Sequence, residues 1–178
     1  MLRVVLFAVA LMFVPKGVFA ATAHGYLGVF GGALLMDGME AERARPLIYT
    51  LGYRVSSLWA FQFEYSDAKP FRGTVKKDSH STPYARDIEY TTSGAYLMFI
   101  RPMGSWVDVN VKYGYVQVDY SFDELSQQDS AKERFSFSGE SYGGGVTLKM
   151  TNSLVFTVDY TQFRTDTAQL SAGVEFDL

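Results

Sequence analysis

The sequence predicts an all-β fold, specifically a transmembrane antiparallel up-and-down β-barrel of eight strands. Three observations indicate this fold. Aromatic residues, 16% of the 178 residues, alternate with small or charged ones along most of the chain. Short and long connections alternate between the candidate strands, and the N-terminus is typical of an exported protein. The chain is long enough for one domain and too short for two comfortable ones.

The N-terminus has the order of features found in a secretory signal peptide. Arg3 supplies a positive start, an apolar stretch covers residues 4–14, and small residues follow. We expect residues 1–20 to be the signal peptide, with cleavage after Ala20 or Ala23. The alternatives, a membrane anchor or a buried helix, fit less well because the apolar run is shorter than the ~20 residues that a span needs.

The charge balance of the remaining chain, residues 21–178, limits the classes of molecule that it can bind. Loss of Arg3 and Lys16 leaves 14 basic residues against 19 acidic ones, a net charge of about −5. This balance disfavours nucleic acid, because phosphate binding needs clustered Lys and Arg. The sequence contains no cysteine, so stability must come from a source other than disulfides. A bilayer, which forces every backbone group to pair, is such a source.

Five segments show the period-two alternation of a strand most clearly. In residues 59–66, for example, aromatic side chains alternate with Ala60, Gln62 and Glu64. The five segments are 46–55, 59–66, 105–115, 154–163 and 168–178. Three weaker candidates are 25–35, whose phase is unclear, 90–101, which is apolar on both faces, and 135–149, in which Gly143 and Gly145 are expected to face inward.

The connections between these segments alternate in length. Residues 56–58, 102–104 and 150–153 are short, whereas 36–45, 67–89 and 121–134 are long; only 164–167 departs from the pattern. Antiparallel neighbours place alternate connections at opposite ends, so tight turns collect at one end and long loops at the other. The alternative is a soluble sandwich or a lipocalin-like barrel. Eight Phe- and Tyr-rich faces would overfill the interior of such a barrel.

Several segments resemble OmpA/OmpX/opacity-type outer-membrane barrels. Residues 51–55 with 59–65 resemble their first periplasmic hairpin, residues 112–115 their fifth strand, and residues 141–146 with 154–160 their third hairpin. The end of the chain is similar to the signal read by the barrel-assembly machinery, with Leu170, Val174, Phe176 and Leu178 on one face. Leu178 stands where the family usually has Phe, and the resemblance is to the barrel-only members, so we expect no peptidoglycan-binding domain.

This resemblance implies a monomeric, porin-like surface protein of the bacterial outer membrane, in contact with membrane lipid and lipopolysaccharide. Aromatic side chains at the outer face are expected near the lipid headgroups, where an amphipathic ring meets both environments. These residues are Trp59, Tyr65, Tyr113, Tyr115 and Tyr160. Trp106 is out of phase with its strand and is expected at a turn.

Seven charged residues are expected to face the lumen. They are Arg54, Glu64, Asp108, Lys112, Lys149, Asp159 and Glu175. Because an ion in a confined lumen is costly unless paired, we expect Lys112 near Glu64 or Asp159, and Arg54 near Asp108 or Glu175. Such a network would plug the lumen. The alternative is a narrow porin, a water-filled channel lined by the same charges.

The sequence predicts no catalytic site, metal site or cofactor. A lipid A deacylase would need a nucleophilic Ser with a His base and a carboxylate, and the two histidines are His24 and His80. His80 is interpreted as a solvated loop residue. The predicted role is structural or surface-interacting, as in an adhesin or antigen, with the basic loop 67–89 and the acidic loop 121–134 as possible contacts for a host or surface ligand.

Overall fold

The computed structural model describes residues 23–36, 40–41, 44–75, 84–122, 133–163 and 167–178. Eight long antiparallel strands form one sheet, and pairing of the fourth and fifth labelled strands closes it into a barrel. The strands are β1 (His24–Met36), β2 (Glu40–Ala41), β3 (Leu47–Arg54), β4 (Trp59–Val75), β5 (Tyr84–Pro102), β6 (Val107–Phe122), β7 (Glu133–Lys149), β8 (Leu154–Phe163) and β9 (Thr167–Asp177). The predicted fold class is therefore confirmed.

The short strand β2 belongs to the same sheet and pairs with Gly73 and Thr74 of β4, beyond the part of β4 that pairs with β3. In the described part of the chain no helix is long and apolar enough to cross a membrane. The predicted signal peptide, residues 1–20, lies outside the described residues.

Tight turns join the strands at one end of the barrel, here called the turn end. Ser56 Oγ accepts hydrogen bonds from the backbone N–H groups of Leu58 and Trp59, each at 3.2 Å, and Thr151 Oγ1 accepts one from Leu154 at 3.0 Å. These hydroxyls satisfy backbone donors that the ladder no longer reaches. The opposite end, the loop end, carries the connections predicted to be long.

The predicted long loops are wrong in their bounds. Residues 67–75 and 84–89 belong to β4 and β5, which pair as far as Val75 and Tyr84 with a register shift after Ala68. The predicted loop 121–134 likewise begins and ends in β6 and β7, which pair to Phe122 and Glu133. Only residues 76–83 and 123–132 separate these strands, and they lie outside the described residues.

The polarity of the two faces of β6 reverses near the point where the predicted strand ends. Along the turn-end part of β6, Val109, Val111, Tyr113 and Tyr115 face outward while Asp108, Asn110 and Lys112 face the lumen. Beyond Tyr115 the outward residues are Gln117 and Asp119, and the buried ones are Val116 and Val118. A strand prediction that relies on outward apolar residues therefore places the end of β6 too early.

Glycines on the inner wall make room for aromatic rings that lie across the lumen. A Cβ on Gly52 would meet the ring of Tyr26, and one on Gly173 would meet the backbone and ring of Phe30. The ring thus fills the space that a side chain on the neighbouring strand would need. This packing fills a narrow barrel interior with few but large side chains.

Substitution of Gly173 tests this packing. We expect Gly173→Ala to destabilise the barrel by about 1–3 kcal/mol, because the added methyl group overlaps the backbone of Val29 and Phe30. The free energy of unfolding would be measured by urea titration in lipid vesicles. Gly31→Ala is the matched control on β1, since nothing lies within 4 Å of a Cβ there. Equal stability of the two variants would contradict the packing argument.

Candidate functional site

The barrel lumen is the candidate site, because it gathers the buried charges of the chain. All seven predicted lumen residues lie on inward strand positions. Lys112 stands at its centre, buried, and its Nζ pairs with Glu64 Oε1 and lies 3.6 Å from Asp159 Oδ2. The structure therefore brings Lys112 to both of the carboxylates that the sequence offered as alternatives.

A glycine explains how Asp159 reaches this position. A Cβ on Gly145, the partner of Asp159 across the β7–β8 ladder, would overlap the Asp159 carboxylate. Gly143, one inward position along β7, similarly leaves space beside the Lys112 stem. Two inward glycines thus admit a three-residue ion cluster into an eight-stranded barrel.

Polar side chains extend the cluster around the lumen. Gln62 Nε2 donates to Glu64 Oε1 at 2.7 Å, and the Tyr26 hydroxyl donates to Gln62 Oε1 at 2.7 Å. The ring of Tyr96 lies 4.9 Å from Lys112 Nζ, close enough for a cation–π interaction. These contacts give the buried ions the additional partners that a low-dielectric interior requires.

A second ion cluster lies nearer the turn end. Arg54 Nη1 is 3.8 Å from Asp108 Oδ2, and Lys149 Nζ is 2.8 Å from Asp108 Oδ1. The guanidinium of Arg54 also lies over the ring of Tyr26, 5.9 Å from its centroid. Of the two partners predicted for Arg54, the structure selects Asp108. Glu175 is buried on the same inner surface and forms no ion pair within the described part of the chain.

An apolar cluster fills the lumen on the loop-end side of the ions. It contains Leu34, Ala44, Ala68, Ile88, Tyr90, Val116, Val118 and Phe163, all buried. Tyr120 and Phe137 pack against it, with the Tyr90 and Tyr120 rings 5.2 Å apart. The sequence analysis missed this cluster. The signal that predicts it is the apolar inner face of β6 beyond Tyr115, where the predicted strand 105–115 ends.

Tyr26, Gln62 and Tyr96 were also missed as members of the polar network. The sequence did not show which side chains of segments 25–35 and 90–101 point inward, and the structure does. Tyr26 and Tyr96 point inward, whereas Leu27 and Leu97 are exposed on the outer face. A Cβ on Gly52 would overlap the ring of Tyr26, and a Cβ on Gly94 would meet the ring of Tyr96. These two glycines are the sequence features that mark the inward positions.

The predicted interface aromatics all lie on the outer face. Trp59, Tyr65, Tyr113, Tyr115 and Tyr160 are each between 37% and 57% exposed, which leaves the rings free to contact the surroundings of the barrel. Trp106 lies at the turn between β5 and β6 and is 64% exposed, as predicted. Residues of the predicted assembly signal share one outward face of β9 and its end, namely Leu170, Val174, Phe176 and Leu178.

Of the two histidines, only His24 lies among the residues that the structure describes. His24 lies at the start of β1, with Nε2 3.3 Å from Asp177 Oδ1 at the turn end. His80 lies outside the described residues. Among the described residues, no group of three or more His, Cys, Asp or Glu side chains is placed to hold a metal ion.

Comparison with known proteins relates this barrel to solved structures. No protein-family model and no curated protein sequence matches the chain. Neisserial surface protein A is 14% identical, with a TM-score of 0.61 over 88% of this chain and 97% of that one. The N-terminal barrel domain of Pseudomonas aeruginosa OprF is 9% identical, with a TM-score of 0.59 over 88% of this chain and all of that one.

The attachment invasion locus protein Ail of Yersinia pestis, solved with the heparin analogue sucrose octasulfate, is 15% identical. Its TM-score is 0.57 over 88% of this chain and 97% of that one. The chain therefore has the fold of the eight-stranded outer-membrane β-barrels. The resemblance to OmpA/OmpX/opacity-type barrels, inferred from the sequence, is confirmed at the level of this fold.

Removal of the central cation tests the ion cluster. We expect Lys112→Met to destabilise the barrel by about 3–5 kcal/mol, because it leaves the buried carboxylates of Glu64 and Asp159 without their shared partner. Lys149→Met, at the more exposed edge of the lumen, should cost about 1 kcal/mol or less.

Urea unfolding of the two variants in lipid vesicles measures the difference. The triple variant Lys112→Met/Glu64→Gln/Asp159→Asn should recover much of the lost stability, since it removes the charges together. A triple variant no more stable than Lys112→Met would show that the cluster acts through packing alone.

Proposed function

We propose that this protein is a monomeric bacterial outer-membrane barrel with a closed lumen and no enzymatic activity, acting as a structural or surface-interaction protein. The observation that carries the proposal is the polarity reversal along the long strands β5, β6 and β7, whose outer face is apolar toward the turn end and polar toward the loop end. An apolar outside with a polar inside suits a bilayer, and a polar outside with an apolar inside suits water. One barrel wall would then cross the membrane and rise above it.

The orientation follows from the ends of the strands. Short turns face the periplasm in outer-membrane barrels and long loops face the exterior, so the turn end is assigned to the periplasm. The strand extensions beyond Tyr115 then stand outside the cell. In this position the apolar cluster around Tyr90 and Val118 acts as the core of an extracellular cap.

The closed lumen is supported by three successive layers. The Arg54–Asp108–Lys149 cluster lies toward the periplasm, the Lys112 cluster lies at the centre, and the apolar cluster lies toward the exterior. Rings of Tyr26, Phe30 and Tyr96 occupy the space between them over inward glycines. A narrow porin is the second candidate, favoured by the many polar side chains on the inner face of the turn-end half.

Single-channel recording separates a closed barrel from a porin. The full-length protein, purified from the outer-membrane fraction and inserted into planar bilayers, should show no steady openings of nanosiemens size, because charged and apolar layers occupy the lumen. Steady openings that disappear in Lys112→Met or Asp159→Asn would favour the porin. A porin of known conductance in the same bilayers is the control for insertion.

The loop end is the proposed contact surface for a host or surface ligand. Strands β4 and β5 pair as far as Val75 and Tyr84, and the sequence from residue 67 to residue 89 contains the basic residues Lys69, Arg72, Lys76, Lys77 and Arg86. A basic projection of this kind suits a polyanion, such as lipopolysaccharide phosphates or a sulfated glycan. Crystallisation of Ail with a heparin analogue supports testing such a ligand.

Neutralisation of the hairpin charges tests this role. We expect replacement of all five basic residues by Gln to reduce binding of a heparin probe at least tenfold and to remove the dependence of binding on salt. Binding would be measured by surface plasmon resonance on the protein in nanodiscs. Neutralisation of Arg101, exposed at the turn end, is the control. Undiminished binding in the five-residue variant would rule out this ligand class for the hairpin.

A further inference from the structure

One cation interrupts the apolar outer face of the barrel at the turn end. Along the outward positions of β5, Leu97 and Phe99 are apolar, and Arg101, the last of them, is exposed. Among the described strands, Arg101 is the one charged side chain on an outward position of the turn-end half. Other charges of this end, such as the pair formed by Asp108 and Lys149, lie on the lumen side.

Arg101 has no acidic partner within the described part of the chain. Its side chain forms no ion pair there, and its neighbour across the β5–β6 ladder is the apolar Val109. The three tight turns, residues 55–58, 103–106 and 150–153, contain no Asp or Glu. The charge of this guanidinium is therefore available to a group from outside the protein.

Aromatic side chains accompany this cation. The rings of Trp59 and Phe99 contact edge to face with their centroids 5.2 Å apart, one outward row from Arg101. Trp59 is 45% exposed, and Trp106, at the turn of the hairpin that carries Arg101, is 64% exposed. Both tryptophans of the chain thus lie at the turn end. Because amphipathic rings favour the level of the lipid headgroups, this level is also where the Arg101 charge meets the membrane.

Position and charge together select the class of lipid. The proposed function places the turn end at the periplasmic leaflet, which consists of phospholipids, whereas lipopolysaccharide occupies the exterior leaflet. A guanidinium presents a planar fork of N–H donors that matches two oxygens of one phosphate. An anionic phospholipid supplies this phosphate without a second cation. A headgroup ammonium, by contrast, would lie beside Arg101 with no carboxylate to accept it.

From these observations we propose that the outer face of β4, β5 and β6 binds an anionic phospholipid of the periplasmic leaflet, with its phosphate on Arg101 and its acyl chains over the adjoining apolar side chains. Those side chains are Trp59, Phe99, Val109 and Val111. The inference rests on the proposed membrane position and orientation of the barrel. It adds a lipid site and the headgroup charge that the site selects.

A second copy of the chain is the other possible occupant of this face, and charge disfavours it. Two barrels with the same orientation in one membrane that met symmetrically here would bring their Arg101 guanidinium groups to the same level. Among the described residues, no outward carboxylate of the turn-end half would lie between the two cations, so they would repel each other. An anionic lipid removes this repulsion.

The two tryptophans report on the lipids at this site. Protein purified from the outer-membrane fraction would be reconstituted into phosphatidylcholine vesicles that contain the same small fraction of brominated phosphatidylglycerol or brominated phosphatidylethanolamine. Bromine quenches tryptophan fluorescence on contact, so the extent of quenching measures how often each lipid lies at the turn end. We expect phosphatidylglycerol to be at least about threefold enriched over phosphatidylethanolamine, an advantage that one arginine near a membrane surface provides. Added salt should reduce this advantage, because it screens the charge.

Variants assign the preference to Arg101. Arg101→Gln should bring the enrichment ratio close to one, and Arg101→Lys, which keeps the charge without the planar fork, should give an intermediate ratio. Lys149→Gln is the matched control: it removes a cation from the same end of the barrel, but one that pairs with Asp108 on the lumen side, so the ratio should not change. Each variant would also be measured with Trp106→Phe, which leaves Trp59 as the single reporter.

Several outcomes would overturn the proposal. They are equal quenching by the two lipids in the unmodified protein, a ratio unchanged in Arg101→Gln, and an equal loss in Lys149→Gln. A preference that a chelator abolishes would indicate a bridging metal ion, and weak quenching by both lipids with a cross-linked dimer would indicate a second copy on this face. Flotation separates this inference from the proposed function: a barrel that floats with the vesicles but shows no preference lacks only the site, whereas a protein that does not float refutes the membrane position itself.

Discussion

Closure of the sheet is the constraint on which the rest of this structure depends. Each barrel strand pairs with a neighbour on both sides, so the wall has no free edge. Side chains then alternate strictly between the two surfaces, and a slip of one residue would send Lys112 and its carboxylates to the outer face. The ladder thereby fixes which residues meet in the lumen before any side-chain contact is made.

Within this frame, the two faces of one strand exchange polarity. Tyr115 and Val116 are consecutive in β6, yet Tyr115 ends the apolar outer face and Val116 begins the apolar inner face. The backbone does not change at this point; only the chemistry of the two faces is exchanged. The exchange explains how a barrel with ions at its centre also has an apolar core, and why its strands continue beyond the level at which outward aromatics stop.

The sequence predicted the strands whose outward aromatics alternate with small or charged residues. It also placed the seven lumen charges on the inner side, because ions and aromatics occupied opposite phases of the same segments. It failed where both faces are apolar or both small, as around Tyr96 and Gly28, since alternation then carries no information. It also failed beyond Tyr115, where the outer face changes from apolar to polar.

Predicting which charged residues pair within the lumen requires the register between strands as well as the phase of the alternation along each strand. Glu64 and Asp159 lie 95 residues apart in the chain and approach the same Lys112 ammonium from different strands. Their meeting depends on the stagger of the strands around the barrel and on the space left at Gly143 and Gly145. A glycine is ambiguous in a sequence, since it suits a bulge, a turn or a close approach. In this barrel the space beside Gly145 is occupied by the Asp159 carboxylate, whereas Gly143 lies against the backbone of Tyr160 and Thr161 with the Lys112 stem beside it, so the glycines and the inward ions form one arrangement.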